Sequence, residues 1–249
     1  MSIKNIDSFT HTRGESVYLD DIPVVNGTLY ACAYGSPFAH GKILALNLDE
    51  ALSMEGVVRI FTCKDIPGKN QIGGIIPDEP LLAESAVHYI GMPLALVVAV
   101  SAELAAAAVK KITLEIDKRH VITDPREAQQ HGNLIVPPRT FRLGDSNSAF
   151  DNCEHVFEGT ADTNGQEHLY IETQGAYALP VENGSIRVIS STQGPTAVQK
   201  HTAEVLGIPM HRVEVDTTRL GGGFGGKEDQ ATPWAIMAAM AALALNRAV

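Results

Sequence analysis

The feature that most constrains this chain is a glycine cluster, Gly221-Gly-Gly-Phe-Gly-Gly226, followed directly by Lys227 and Glu228. Five glycines in six positions remove most side chains, so the backbone can adopt positive φ angles and approach a ligand closely. The apolar pattern predicts a strand at Arg212–Asp216 before the cluster and a helix at Ala231–Leu245 after it. Backbone N–H groups at such a strand–loop–helix junction favour an anion as ligand.

Three other interpretations of the cluster stay open. A hinge or tight turn explains the glycines without any ligand. Gly221, Gly223 and Gly226 fit the dinucleotide pattern GxGxxG, but that motif needs an acidic residue about 20 positions further on, where this chain is apolar. The stretch from Gly221 to Lys227 fits the phosphate-loop pattern GxxxxGK, but Glu228 stands where a hydroxyl is required, and its carboxylate would repel phosphate.

Composition limits the partners and the compartment. The 249 residues are 45% hydrophobic and 19% charged, as in ordinary globular proteins, and the net charge of −10 disfavours nucleic acid or an anionic membrane as partner. Cys32, Cys63 and Cys153 lie far apart without CxxC spacing, which excludes a disulfide framework and a sequence-local zinc or iron–sulfur site. The N-terminus has no signal-peptide pattern, and the longest apolar run is too short for a bilayer. We therefore predict a cytoplasmic protein.

Alternating apolar runs and helical stretches predict an α+β fold. Strands are predicted at Thr28–Tyr34, Ile43–Leu48, Val57–Phe61, Leu94–Val100, Ile112–Ile116, Cys153–Gly159, Gly175–Leu179, Ile186–Ser190 and Arg212–Asp216. Helices are predicted at Ala102–Lys111, from about Pro195 to Gly207, and at Ala231–Leu245. Proline, glycine and polar residues between Lys118 and Asn152 predict an inter-domain linker.

The glycine cluster resembles the cofactor loop of the xanthine dehydrogenase and aldehyde oxidase family of molybdenum hydroxylases. Other stretches resemble the family in its own order: Arg13-Gly-Glu-Ser-Val-Tyr-Leu-Asp-Asp-Ile22, Ala39-His-Gly-Lys-Ile43, Pro80-Leu-Leu-Ala-Glu84, Gly165-Gln-Glu-His-Leu-Tyr-Ile-Glu-Thr173 and Ser191-Thr-Gln193. The resemblance covers essentially the whole chain. It implies an a/b hammerhead domain at residues 1–120, and then, at residues 121–249, a linker and a truncated N-terminal portion of a molybdenum-cofactor-binding domain.

The resemblance also implies roles for single residues. Gln193 matches the glutamine whose amide donates to an oxo ligand of molybdenum. Gly223, Phe224 and Gly225 match the backbone that faces the metal and its pterin. The resemblance therefore implies that Gln193 and Phe224 interact with the molybdenum centre, through hydrogen bonding or through the backbone. Glu228 matches the glutamate that faces the purine in xanthine-oxidising members, where aldehyde oxidases usually have an apolar residue. Simpler interpretations are a solvated residue at a helix entry for Gln193 and a first-turn acidic residue for Glu228.

These roles imply part of a purine hydroxylase that converts hypoxanthine to xanthine and then urate, with water as the oxygen source. Molybdenum–molybdopterin is the implied cofactor, and FAD and [2Fe-2S] clusters are expected on partner domains or subunits. The family's general-base glutamate and most pterin contacts lie downstream of residue 249, so no catalytic residue is expected here and the remaining cofactor-domain segment is an expected partner. The alternatives are an aldehyde or other N-heterocycle hydroxylase of the family, and a non-catalytic assembly fragment.

A metal site is a further possibility at Glu167, His168 and Glu172, because carboxylates and imidazole lie close in sequence there. In a strand, adjacent residues such as 167 and 168 point to opposite faces and cannot share a metal without a bulge. We therefore predict a structural, hydrogen-bonded role for these side chains.

Overall fold

The computed structural model describes residue 5 and residues 7–249. The helices are α1 (Ser8–Arg13), α2 (Asp49–Leu52), α3 (Ala102–Val109), α4 (Pro125–Gln130), α5 (Ser146–Asp151), α6 (Pro195–Leu206) and α7 (Thr232–Leu245). The strands are β1 (Tyr30–Gly35), β2 (Gly41–Asn47), β3 (Val57–Thr62), β4 (Ala86–Val87), β5 (Pro93–Ala99), β6 (Thr113–Lys118), β7 (Ala176–Val181), β8 (Ser185–Ser190) and β9 (Val213–Asp216). The described residues up to His120 form one compact unit with His168–Val249, and Val121–Glu167 forms another.

Two antiparallel sheets occupy the N-terminal half of the larger unit. Their strand orders are β1-β5-β3 and β4-β2-β6. Strand β5 is the central strand of the first sheet, and its continuous apolar sequence is buried on both faces. Helix α3 packs on β1 and β5. It begins where the Ser101 side chain accepts the Leu104 N–H at 3.2 Å, and this cap fixes the turn that follows β5.

The third sheet positions the segments that matter for function. Strand β8 pairs antiparallel with β7 and parallel with β9, and α6 makes the crossover between β8 and β9. Proline at the start of α6 and Gly207 at its end, with a φ of +65°, fit the usual preferences for helix termini. Because β8 and β9 are parallel neighbours, the segments that follow them leave the sheet at the same edge.

One apolar core joins the two halves of the larger unit. Phe61, Leu82 and Leu96 from the N-terminal half belong to the same buried cluster as Ile186 and Met237 from the C-terminal half. Helix α7 packs on β7, β8 and α6 and is buried over most of its surface, as its nearly uniform apolar sequence predicts. No helix in the described part of the chain has the length and apolar character that a membrane crossing requires.

The predicted strand at Cys153–Gly159 is wrong. The described residues there form no strand, and their side chains are exposed. Alternating residues form a strand only when they find a partner strand and a core to cover, and the Val121–Glu167 unit contains only the short helices α4 and α5 as regular structure. The other predicted strands and helices are confirmed, with ends displaced by a few residues.

Candidate functional site

Three segments meet at the edge where β8 and β9 end: residues 170–175, Ser191–Gly194 and the glycine cluster. The Glu172 N–H donates to the Gly221 carbonyl at 3.2 Å, and the Gln193 N–H donates to the Lys227 carbonyl at 2.9 Å. The Ser191 N–H donates to the Gly175 carbonyl at 3.3 Å. Backbone hydrogen bonds thus bring three separate sequence motifs into one site.

The side chain of Gln193 supports the tip of the glycine cluster. Its Oε1 accepts the N–H of Gly225 at 3.0 Å and the N–H of Lys227 at 3.3 Å. Within the described residues, its Nε2 has no hydrogen-bond partner. A Cβ added at Gly223 would lie only 2.5 Å from this Oε1, so the approach of the amide to the loop requires glycine at that position.

The tip of the loop is partly uncovered: Phe224 and Gly225 are exposed, Gly222 is half-buried and Gly223 is buried. Phe224 has a φ of +50° and a side chain that is 75% exposed, while Gly222 and Gly225 have φ angles of +97° and +94°. A bulky residue in the left-handed region is uncommon, and residues strained in this way cluster at functional sites. Among the residues that the structure describes, the N–H groups of Gly222, Gly223 and Phe224 have no acceptor. The N–H groups of Gly222 and Phe224 at the tip are therefore donors that a ligand with oxygen or nitrogen acceptors can use.

The base of the loop is held by a buried ion pair. Lys227 is fully buried, and its Nζ lies 3.0 Å from Oε2 of Glu172, whose side chain is 14% exposed. The same Oε2 accepts the Ser191 hydroxyl at 2.5 Å and the Gly221 N–H at 2.7 Å. Desolvation by burial opposes ionisation of Glu172, but hydrogen bonds from Ser191, Gly221 and Lys227 outweigh it and lower the pKa of this carboxyl.

This lowered pKa gives a testable dependence of stability on pH. A carboxyl whose pKa is lower in the folded state stabilises the fold above its unfolded-state pKa, about 4.3 for glutamate, and loses that contribution as the pH falls through the folded-state pKa. We expect the free energy of unfolding of the wild type to fall more steeply below about pH 4.3 than that of Glu172→Gln, which cannot ionise. Urea unfolding at successive pH values measures both curves. Parallel curves would contradict the role given to Glu172.

The structure brings together four of the five site residues expected from the sequence: Gln193, Gly223, Phe224 and Gly225. The fifth, Glu228, is exposed, and its N–H donates to the Gly225 carbonyl at 3.3 Å. The Glu228 carbonyl would lie 3.1 Å from a Cβ at Gly194, so this residue also stands beside the segment that carries Gln193.

Sequence reasoning missed the pairing of Lys227 with Glu172 and Ser191. Each of these residues stands inside a motif that the sequence singled out, but no local pattern links positions 172, 191 and 227. His168 lies beside the loop, where a Cβ at Gly226 would be 2.9 Å from its Cγ. The backbone at 167–168 is not a strand, and the described residues include no group of three His, Cys, Asp or Glu side chains able to hold a metal ion.

Two family models match the chain. Residues 13–120 match the a/b hammerhead domain of aldehyde oxidase and xanthine dehydrogenase, and residues 126–249 match the molybdopterin cofactor-binding domain. These matches confirm the predicted fold class, an α+β hammerhead domain followed by part of a molybdopterin-binding domain.

Individual proteins of known sequence or structure are also similar. A xanthine dehydrogenase of Calliphora vicina is 37% identical over 239 residues, which cover 95% of this chain and 18% of that protein. Aldehyde oxidase 2 of Cavia porcellus is 35% identical over 252 residues, covering 100% of this chain and 18% of that protein. The aldehyde oxidoreductase of Desulfovibrio gigas has a TM-score of 0.85 at 25% identity, covering 98% of this chain and 29% of that chain. The chain therefore spans less than a fifth of the length of these curated relatives.

Proposed function

Because the chain belongs to the xanthine dehydrogenase and aldehyde oxidase family of molybdenum hydroxylases, we propose that it binds one side of a molybdenum–molybdopterin cofactor. The observation that carries the proposal is the position of Gln193 against the glycine loop. Its Oε1 is held by two backbone N–H groups, while Nε2 remains available as a donor beside a partly uncovered backbone tip. A neutral amide can donate to an oxygen ligand there without adding charge.

The residues present fit such a group. The donors at the tip suit a ligand rich in acceptor atoms, as a metal–oxo centre with a pterin is. A Cβ at Gly223 would clash with the side chain of Gln193, so the glutamine can lie against the loop only because position 223 is a glycine. When bound, the cofactor supplies a redox centre that transfers oxygen from water to a carbon atom of the substrate and takes up two electrons.

This chain contributes position and hydrogen bonding to that chemistry. The loop is fixed before any ligand binds, because Gln193 holds its tip and the Glu172–Lys227 pair holds its base. Donors that are already oriented need no reorganisation when charge develops in a reaction, and this is how preorganised sites lower barriers. Gln193, Gly223, Phe224 and Gly225 would hold the cofactor, and we propose the Gln193 amide and the Phe224 backbone as the groups that would interact with its molybdenum.

We extend the proposal to the parent protein. Residues 1–120 would form the hammerhead domain, and residues 121–249 would form a linker and the first part of the cofactor domain, a division that the two family matches support. FAD and [2Fe-2S] clusters would lie on partner domains or subunits in the cytoplasm, where they would accept the electrons.

For the substrate we propose a purine, with hypoxanthine and xanthine as the compounds oxidised. Glu228 supports this assignment, because its carboxylate is exposed and it follows the glycine loop with only Lys227 between them. A carboxylate can accept a proton or hydrogen bond from a purine nitrogen, or donate one when protonated, as charge shifts during attack on the ring. An apolar side chain at that position could do neither.

The test is Glu228→Val in a complex that contains this chain, the remaining cofactor-domain segment and the FAD and iron–sulfur partners. We expect kcat/KM for xanthine to fall at least about tenfold, since a hydrogen bond to a charged group is lost. Turnover of an aromatic aldehyde and the molybdenum content should stay within about twofold of the wild type, because Glu228 contributes to neither.

Other outcomes of these measurements would favour one of the alternative functions. Unchanged purine turnover in Glu228→Val would overturn the purine assignment. High aldehyde turnover with no purine turnover in the wild type would favour an aldehyde hydroxylase, an outcome given weight by the 35% identity to an aldehyde oxidase. A folded wild-type complex without molybdenum would favour an assembly role and overturn the cofactor proposal.

A further inference from the structure

Glu172, Lys227 and Ser191 form a buried, mutually hydrogen-bonded group at the base of the loop, and none of the three side chains reaches the tip. We infer that these side chains act together as a positioning clamp, which fastens both ends of the loop Gly221–Gly226 to one carboxylate oxygen and thereby fixes the direction of the donors at the tip. The inference rests on the proposed function only for the identity of the ligand that the tip faces.

The hydrogen bonds of the clamp connect both ends of the glycine loop to one carboxylate oxygen of Glu172. At one end, the Gly221 N–H donates to Oε2 of Glu172 at 2.7 Å. At the other end, Nζ of Lys227 donates to the same Oε2 at 3.0 Å and to the Ser191 hydroxyl at 2.7 Å. Ser191 closes the triangle by donating to Oε2 at 2.5 Å. The two ends of the loop are therefore joined through a single acceptor atom.

Side-chain packing cannot fix the backbone path of the glycine loop. Five of the residues from 221 to 226 are glycines, and the single side chain among them, that of Phe224, is 75% exposed. Apolar contacts are non-directional and need side-chain surface, so directional polar contacts must define the backbone path here. The clamp provides them at the base, and Gln193 provides them at the tip.

Burial of the Lys227 ammonium restricts the end of the loop to one position. Lys227 is completely buried, and an unpaired charge in such surroundings is strongly unfavourable. Glu172 is its ion-pair partner, and the Tyr170 ring lies 4.7 Å from Nζ. Any shift of the loop that separated Lys227 from Glu172 would strand both charges, so the backbone at Lys227 is tied to this one position. An apolar residue of similar volume would fill the space without that constraint.

The experiment compares Lys227→Met, Glu172→Gln and the double variant with the wild type of the full chain. Native-state amide exchange at Gly221, Gly225 and Lys227 reports the order of the loop, and amides of β5 report the remainder of the unit. We expect either single variant to accelerate exchange at the loop amides about tenfold, as for the loss of one charge-assisted hydrogen bond. The double variant should restore part of the protection, because glutamine still accepts the Gly221 N–H and no charge is left unpaired.

A control separates positioning from general stability. Val98→Ala creates a cavity in β5, far along the chain from the loop, and should accelerate β5 amides without any preference for the loop. The proposed clamp is wrong if amide exchange in the loop of Lys227→Met stays at the wild-type rate. It is also wrong if loop exchange rises only in parallel with exchange in β5, as in the control. If the charge variants do not fold, Ser191→Ala decides the matter, since it keeps the ion pair and should accelerate the loop amides by a smaller factor.

These results are independent of the cofactor. A wild-type complex that folds but holds no molybdenum would overturn the proposed function and leave the clamp as it stands. Bound molybdenum together with unchanged loop exchange in all the variants would overturn the clamp alone.

Discussion

Gly223→Ala is expected to lower the molybdenum retained by the assembled complex about a hundredfold, because it displaces the Gln193 side chain and breaks two hydrogen bonds to the loop. The added Cβ would lie 2.5 Å from Oε1, 2.8 Å from Cδ and 3.1 Å from Cγ of Gln193. The glutamine side chain must therefore leave the loop and give up the N–H groups of Gly225 and Lys227. Elemental analysis of the purified complex measures the outcome.

Two further variants make the Gly223 experiment interpretable. Gly74→Ala is a matched control, since a Cβ there meets nothing within 4 Å, and it should retain wild-type molybdenum. Gly223→Ala combined with Gln193→Ala removes the clash, so we expect thermal stability to recover while molybdenum stays low, because the donor amide is also gone. Wild-type molybdenum in Gly223→Ala would show that Gln193 does not hold the cofactor.

Gly68→Ala should lower the free energy of unfolding by about 3 kcal/mol, the upper part of the range for overpacking a tight contact. A Cβ at Gly68 would lie 2.3 Å from the carbonyl oxygen of Glu204 and 2.7 Å from both the Val205 oxygen and the Gly207 nitrogen. These are backbone atoms at the end of α6, which cannot swing aside as a flexible side chain could. The Gly68 N–H also donates to the Val205 carbonyl at 2.8 Å, a bond that the displacement would break.

Urea unfolding of the full chain measures the Gly68 effect, again with Gly74→Ala as the control. The control should change the free energy of unfolding by less than about 0.5 kcal/mol, as surface substitutions usually do. A Gly68→Ala protein as stable as this control would mean that the loop before β4 does not depend on its contact with α6.

Local sequence patterns were sufficient for most of the elements. Continuous apolar residues in β5, the Ser101 cap of α3, and proline and glycine at the ends of α6 are signals that operate within one or two turns, so they predicted those elements closely. The same kind of signal failed for Cys153–Gly159, because β propensity forms no strand without a partner. Strand β4 has only two residues and left no periodic pattern to detect.

In the candidate site, too, some features could be predicted from the sequence and others only from the tertiary structure. The sequence alone indicated a bare backbone at Gly221–Gly226 and, through family resemblance, named Gln193 as its neighbour. Only the tertiary structure decided that Glu172 receives Lys227, Ser191 and Gly221 on one oxygen atom. Conformational preference is a property of neighbouring residues, whereas the hydrogen bond between Glu172 and Lys227 spans 55 positions. It exists only because antiparallel pairing of β7 with β8 and parallel pairing of β8 with β9 bring the start of β7 and the ends of β8 and β9 to one edge.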